Sequence, residues 1–236
     1  MPFEPGVSQL IVVLLAAALG GGMGWPLAAW ARRNMVRAVA VLPGAASAAP
    51  RISELAAPPV RGLPSACGAL TAVGWGLAAW RLGLQPVLPA LLAFVAAGSV
   101  LVIVDAAEHR LPNRVLGPAS AAVAALLTLA TAASNEWPAL LWAVAGSVGM
   151  FAVYLLVALA SPSAMGMGDV KLAGLIGLLL GWFGLETWLT GLVAAFVLGG
   201  LVALAALAVR RITLRGSIPF GPAMLGGAMV AMLVAG

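Results

Sequence analysis

Apolar runs of about twenty residues, separated by isolated charges or prolines, recur along all 236 residues of this chain. That recurrence constrains the fold more than any single motif. In hydrocarbon every backbone N–H and C=O must find its partner inside the protein, and a run of about 20 apolar residues does so as one membrane-crossing helix. Eight runs are legible: Leu10–Ala31, Ser65–Trp80, Pro86–Val104, Val115–Ala133, Trp137–Ala160, Val170–Leu185, Trp188–Val209 and Ile218–Gly236. The expected fold is all-α, a polytopic membrane protein of about eight transmembrane helices. The second and sixth runs are short for a crossing and are expected to start among headgroups or to bend. Trp80, Trp137, Trp182 and Trp188 lie near predicted ends, where an interfacial ring is favoured.

Composition excludes the main alternatives. Residues are 63% hydrophobic and 8% charged, against about 25% charged in soluble domains. An ordinary soluble enzyme is excluded, and so is a disordered chain, which needs low hydrophobicity. The net charge of +5 does not point to nucleic acid, because no basic stripe with interleaved aromatics is present. The positive charges read instead as orientation signals. The leader Met1–Gln9 carries Glu4 and no basic residue, while Arg32 and Arg33 follow the first run. The first run is therefore expected to remain uncleaved, with the N-terminus outside. With eight crossings and both termini outside, eleven cations (Arg32, Arg33, Arg37, Arg51, Arg61, Arg110, Arg114, Lys171, Arg210, Arg211 and Arg215) face the cytoplasm, and only Arg81 lies outside.

This arrangement divides the chain into a first transmembrane helix (1–31), an Ala/Pro-rich cytoplasmic loop (32–64) and a membrane-embedded core (65–236). The loop has five prolines and too few large hydrophobes for a core of its own. The single cysteine, Cys67, excludes a disulfide or a cysteine-based zinc site within the chain and is assigned to packing. The halves share no ordered motif, so an inverted-repeat transporter has no support.

Chemistry concentrates in the few ionisable groups at run ends. Asp105 closes the third run in VLVIVDAAEHRLPNRV, and Asp169 opens the sixth in SAMGMGDVKLAGLIG, 64 residues later. Both fall at the cytoplasmic face, and an ionisable residue at membrane depth is a functional candidate by default. Asp169 alone also suits a helix N-cap. Asp105 has a weaker structural reading, since it falls near a helix C-terminus, where the macrodipole disfavours negative charge. Two carboxylates brought together in a partly desolvated site share a proton. One can then activate water while the other polarises a peptide carbonyl, with no metal, cofactor or nucleophilic Ser or Cys. Gly166 and Gly168 give the backbone room to turn and a substrate room to approach. His109, four after Asp105, shares its face if the helix continues, although a solvated interfacial histidine is the simpler reading. Lys171 is placed to steer substrate or act on the carboxylates, or else to snorkel as a topology charge. Glu108 reads as a solvated loop charge.

At these residues the chain resembles the type IV prepilin peptidase family. Gly166-Met167-Gly168-Asp169 resembles its GxGD signature, IVDAAEHRLPN its first catalytic block, and SIPFGPAMLGG (217–227) its C-terminal block. The resemblance implies that Asp105 and Asp169 are a catalytic pair that removes the leader from prepilin-like proteins at the cytoplasmic membrane face. It implies a bacterial inner-membrane enzyme of type IV pilus, type II secretion or Tad-type systems. Its substrates would carry a short basic leader ending in Gly ahead of a hydrophobic helix. Bifunctional members carry paired CxxC motifs, in a domain associated with N-methylation, where this chain has its Cys-free loop; no methyltransferase activity is expected. Asn113 stands in the Leu-Pro turn where Asp is common. Competing readings are a presenilin-like protease, which would show Tyr-Asp and Pro-Ala-Leu blocks, a transporter or assembly subunit relaying protons or cations through the same carboxylates, and an inactive family member.

Overall fold

The computed structural model describes residues 6–39, 62–108, 110–161, 165–208 and 219–234, and every regular element among them is an α-helix. In chain order these are α1 (Val7–Gly22), α2 (Gly24–Val39), α3 (Leu63–Leu82), α4 (Leu88–Glu108), α5 (Asn113–Ser134), α6 (Trp137–Ala160), α7 (Met167–Trp182), α8 (Leu185–Ala208) and α9 (Gly221–Val234). Among the described residues, each of the eight apolar runs is mostly helical. Val7–Arg33, Leu88–Glu108, Asn113–Ser134, Trp137–Ala160 and Leu185–Ala205 are long and apolar enough to cross a membrane.

Three boundaries differ from expectation. The first run is two helices, broken at Met23, not one. Pro26 has no N–H to donate to the Gly22 carbonyl, so the ladder is interrupted where three glycines offer it least support. The helix then continues to Val39, past the expected boundary at residue 31; residues 40–61 of the predicted loop lie outside the described residues. The sixth run sits three residues earlier than predicted. It ends at Trp182 because Gly184 adopts φ 105°, a left-handed conformation that glycine tolerates, and α8 starts at once.

Burial is graded by helix. α4, α7 and α9 form the interior, with buried residues all round α7 from Val170 to Gly181. A helix apolar on every side belongs in a core. α1, α6 and α8 are peripheral and expose Leu14, Leu141, Leu156, Leu201 and Leu204. So much exposed leucine on the outer helices suits a lipid surround.

Between α6 and α7 the backbones nearly touch. A Cβ on Gly146 would lie 2.6 Å from the Gly177 carbonyl oxygen, and one on Gly181 would strike the Trp142 carbonyl. Close small-residue contact of this kind brings membrane helices together. Indole donors add cross-links: Trp188 Nε1–H to Gly146 O at 2.9 Å, Trp75 to Leu92 O at 2.9 Å, and Trp182 to Thr131 Oγ1 at 3.2 Å. Trp182 and Trp188 thus turn inward as helix-to-helix donors and not outward as interfacial anchors, whereas Trp80 and Trp137 are exposed as expected. Cys67 is fully buried among helices, consistent with packing.

Candidate active site

Asp105 lies in the last turn of α4, 4% exposed. The C-terminal end of α4 is a poor place for a carboxylate on its own. The structure supplies what that helix lacks: Gly221, first residue of α9, donates its backbone N–H to Asp105 Oδ2 at 3.0 Å. α9 therefore presents its unsatisfied N–H groups and positive dipole end to this acid. A Cβ on residue 221 would lie only 2.7 Å from Asp105 Oδ2, so the approach requires glycine.

Asp169 stands in the first turn of α7, half-buried, and its Oδ2 accepts the Gly166 N–H at 3.2 Å. Gly166 is itself the N-cap, and Asp169 closes the turn from three residues inside the helix. Each acid thus sits at a helix N-terminus, Asp169 at that of its own helix and Asp105 at that of α9. The two are near enough for the charge of Asp105 to act on Asp169. Residues 64 apart in sequence come to the same end of the interior because α4, α7 and α9 are the three interior helices.

The supporting residues divide. Gly168 does not leave open room: a Cβ there would lie 2.9 Å from that of Leu111, so the small residue admits the α4–α5 connection. Gly166 has no such crowding, with Asp169 Oδ2 the nearest atom at 3.7 Å from a Cβ built there. Lys171 is exposed and donates from Nζ to Asn113 Oδ1 at 3.0 Å, tying α7 to α5. The Leu111-Pro112-Asn113 turn thereby has a use for its asparagine. His109 lies outside the described residues.

Two features of this end had no prediction. One is Gly221, which the sequence placed only within the 217–227 block and before Pro222, with no role of its own. The other is an aromatic cluster: Tyr154 of α6 stacks on Phe196 of α8 with ring centroids 5.3 Å apart, and Phe220, just before α9, lies 6.3 Å from Tyr154 and 5.8 Å from Phe196. A cavity of about 410 Å³ lined by Arg81, Gln85, Glu136, Trp182 and Met232 opens at the other end of the bundle. It is roughly 27 Å from Asp105 along α4, at 1.5 Å per residue, and takes no part in the acid site.

Two carboxylates at one end of a helical interior, each held by a backbone N–H, form a unit able to move protons to and from a bound water and carbonyl. Residues 90–204 match the type IV leader peptidase family, a stretch of just under half the chain that includes Asp105, Gly166, Gly168, Asp169 and Lys171. This match bears out the family resemblance read from the sequence blocks, in an all-helical frame with five helices long and apolar enough to cross a membrane among the described residues. The 217–227 block lies beyond the matched stretch. No curated protein and no solved structure matches the chain.

Proposed function

We propose, from the type IV leader peptidase character of residues 90–204, that the chain is a prepilin peptidase: a membrane aspartic endopeptidase using Asp105 and Asp169. One observation carries this reading. Asp105 of the first block and Asp169 of the GxGD block stand at the same end of the helical interior, remote from the cavity at Val87 and Trp182, each held by the backbone N–H of a glycine.

The reaction follows from the pair. One carboxylate takes a proton from water, whose oxygen adds to the scissile carbonyl carbon. The other, protonated, gives its proton to the carbonyl oxygen, and a gem-diol forms. Return of a proton to the nitrogen breaks the C–N bond, leaving a carboxylic acid on the leader and a free amine on the mature chain. Nothing beyond water is consumed, and the pair regains its shared proton.

The substrates are prepilins or pseudopilins whose leader ends just ahead of a hydrophobic helix, presented from the bilayer at the cytoplasmic face of a bacterial inner membrane. Eight crossings with both termini outside put the acids on that face. Without paired CxxC motifs the activity stops at cleavage. Nucleic acid has no place in this function.

The test is co-expression with a prepilin from the same genome, using wild type, Asp105→Asn and Asp169→Asn, read as a gel shift. Shortening at the Gly before the hydrophobic helix by wild type alone is the expected result. Shortening by all three would remove the acids from the reaction.

A further inference from the structure

Tyr154 is the chain's only tyrosine, and it is 1% exposed in the middle of an apolar helix. Burying a phenol hydroxyl among hydrocarbon is costly unless the oxygen has polar company. The helix register shows where that company is. α6 and α7 run antiparallel, with Gly146 against Gly177 and Phe151 against Gly174. Carried three residues further, this register brings Tyr154 level with the first turn of α7, where Asp169 lies.

The other neighbours agree. Tyr154 packs on Phe220, whose next residue, Gly221, donates to Asp105. The charge of Asp169 acts on the phenol. No described residue takes the hydroxyl's hydrogen bond, and the oxygen is not among sealed, unpaired atoms. The ring is fixed by Phe196 and Phe220, and the α6–α7 register sets it at the acid end. At neutral pH an ordinary phenol keeps its proton and is a donor.

We propose that Tyr154 is a third catalytic residue of the site: its O–H donates a hydrogen bond to the carbonyl oxygen of the scissile peptide as that carbon becomes tetrahedral. The phenol keeps its proton throughout, and the acids alone exchange protons with water and substrate. The role rests on the peptidase reading above. A preplaced neutral donor aimed at developing oxygen charge lowers the barrier selectively, because it bonds the transition state more strongly than the planar ground state.

Tyr154→Phe keeps the ring and its stacking and removes one oxygen. In the purified full chain acting on a prepilin substrate, kcat falls about 10²-fold or more, while KM and the thermal transition stay near wild type. Because the chain has one tyrosine, 3-fluorotyrosine labelling gives a single ¹⁹F resonance, and Asp169→Asn shifts it whether or not the protein is turning over. Turnover by Tyr154→Phe within about threefold of wild type overturns the proposal. So does a loss that only follows a lowered thermal transition, or a resonance that Asp169→Asn leaves in place. If wild type itself leaves prepilins intact, the peptidase reading fails first and the catalytic role with it; the resonance then still reports whether the phenol lies beside Asp169.

Discussion

Replacing Gly221 with alanine adds one carbon at the point where α9 meets Asp105. The new Cβ would fall 2.7 Å from Oδ2 and 3.3 Å from Cγ, whereas ordinary contacts begin near 3.4 Å. The carboxylate must therefore retreat by about 0.7 Å, which stretches the 3.0 Å bond from the Gly221 N–H beyond hydrogen-bonding length. A hydrogen bond to a charged group is worth about 1.5–3 kcal/mol. If that placement serves catalysis, the loss corresponds to about 10–150-fold in kcat/KM. The fold gives an opposing sign. Alanine is the better helix former, and the change sits in the first turn of α9, so stability of the isolated helix is unharmed. The assay is kcat/KM for prepilin cleavage by the purified full chain, alongside a thermal melt in the same detergent. The expected outcome is a marked loss of cleavage with little change in melting. Cleavage within twofold of wild type would refute the reasoning, because Asp105 would then work equally well without its α9 donor.

Asp105→Asn and Asp169→Asn each lower kcat by about 10²–10⁴-fold, with membrane insertion judged by fractionation unchanged. Gly177→Val places side-chain atoms on the Gly146 backbone and Met150 Cβ, and it destabilises by about 1–3 kcal/mol, read as a lower melting transition. Gly200→Ala, with nothing within 4 Å of its new carbon, raises stability by about 0.5–1 kcal/mol in the same melt. Lys171→Ala and Asn113→Ala break one shared bond; each costs about 0.5–1.5 kcal/mol, and the double variant is no worse than the worse single one. A KM increase confined to Lys171→Ala would instead mark the lysine as a substrate contact.

Helix positions were legible because a membrane run advertises itself by length and apolarity, which needs no knowledge of partners. Trp137–Ala160 was located to the residue. What failed was what depends on neighbours. The break at Met23 required pairing Pro26 with a carbonyl four residues back. The start of α7 was misplaced because glycine and methionine before Asp169 look like a loop until Gly166 is seen to cap them. The inward turn of Trp182 and Trp188 depends on facing helices, and so does the identity of Gly168's occupant, Leu111. Asp105 and Asp169 stood out because charge is scarce. Gly221 and Tyr154 did not, since a glycine and a lone aromatic in apolar surroundings carry no periodic or electrostatic signal of their own.

The depth of the site follows from the lengths of the interior helices. The residues Val87, Trp182 and Met232 line one cavity, so α4, α7 and α9 are aligned at the end remote from the acids. From that common level, Asp105 stands about 27 Å up α4 and Asp169 about 20 Å up α7, at 1.5 Å per residue. Both heights fall short of a hydrocarbon core of roughly 30 Å. α7, with 16 residues, is too short to fill that thickness, and α9 starts at the level of Asp105. In a bilayer of that thickness their N-termini would leave a recess into which water or headgroups descend. A charge buried at the bilayer centre would be prohibitive, and one in open water would lose the desolvation that couples two acids. The recess lies between these limits. It is also the depth at which a peptide bond just ahead of a membrane helix would meet water. Interior helices opened by Gly166 and Gly221 therefore hold the carboxylates with backbone N–H groups at a depth where water would reach them.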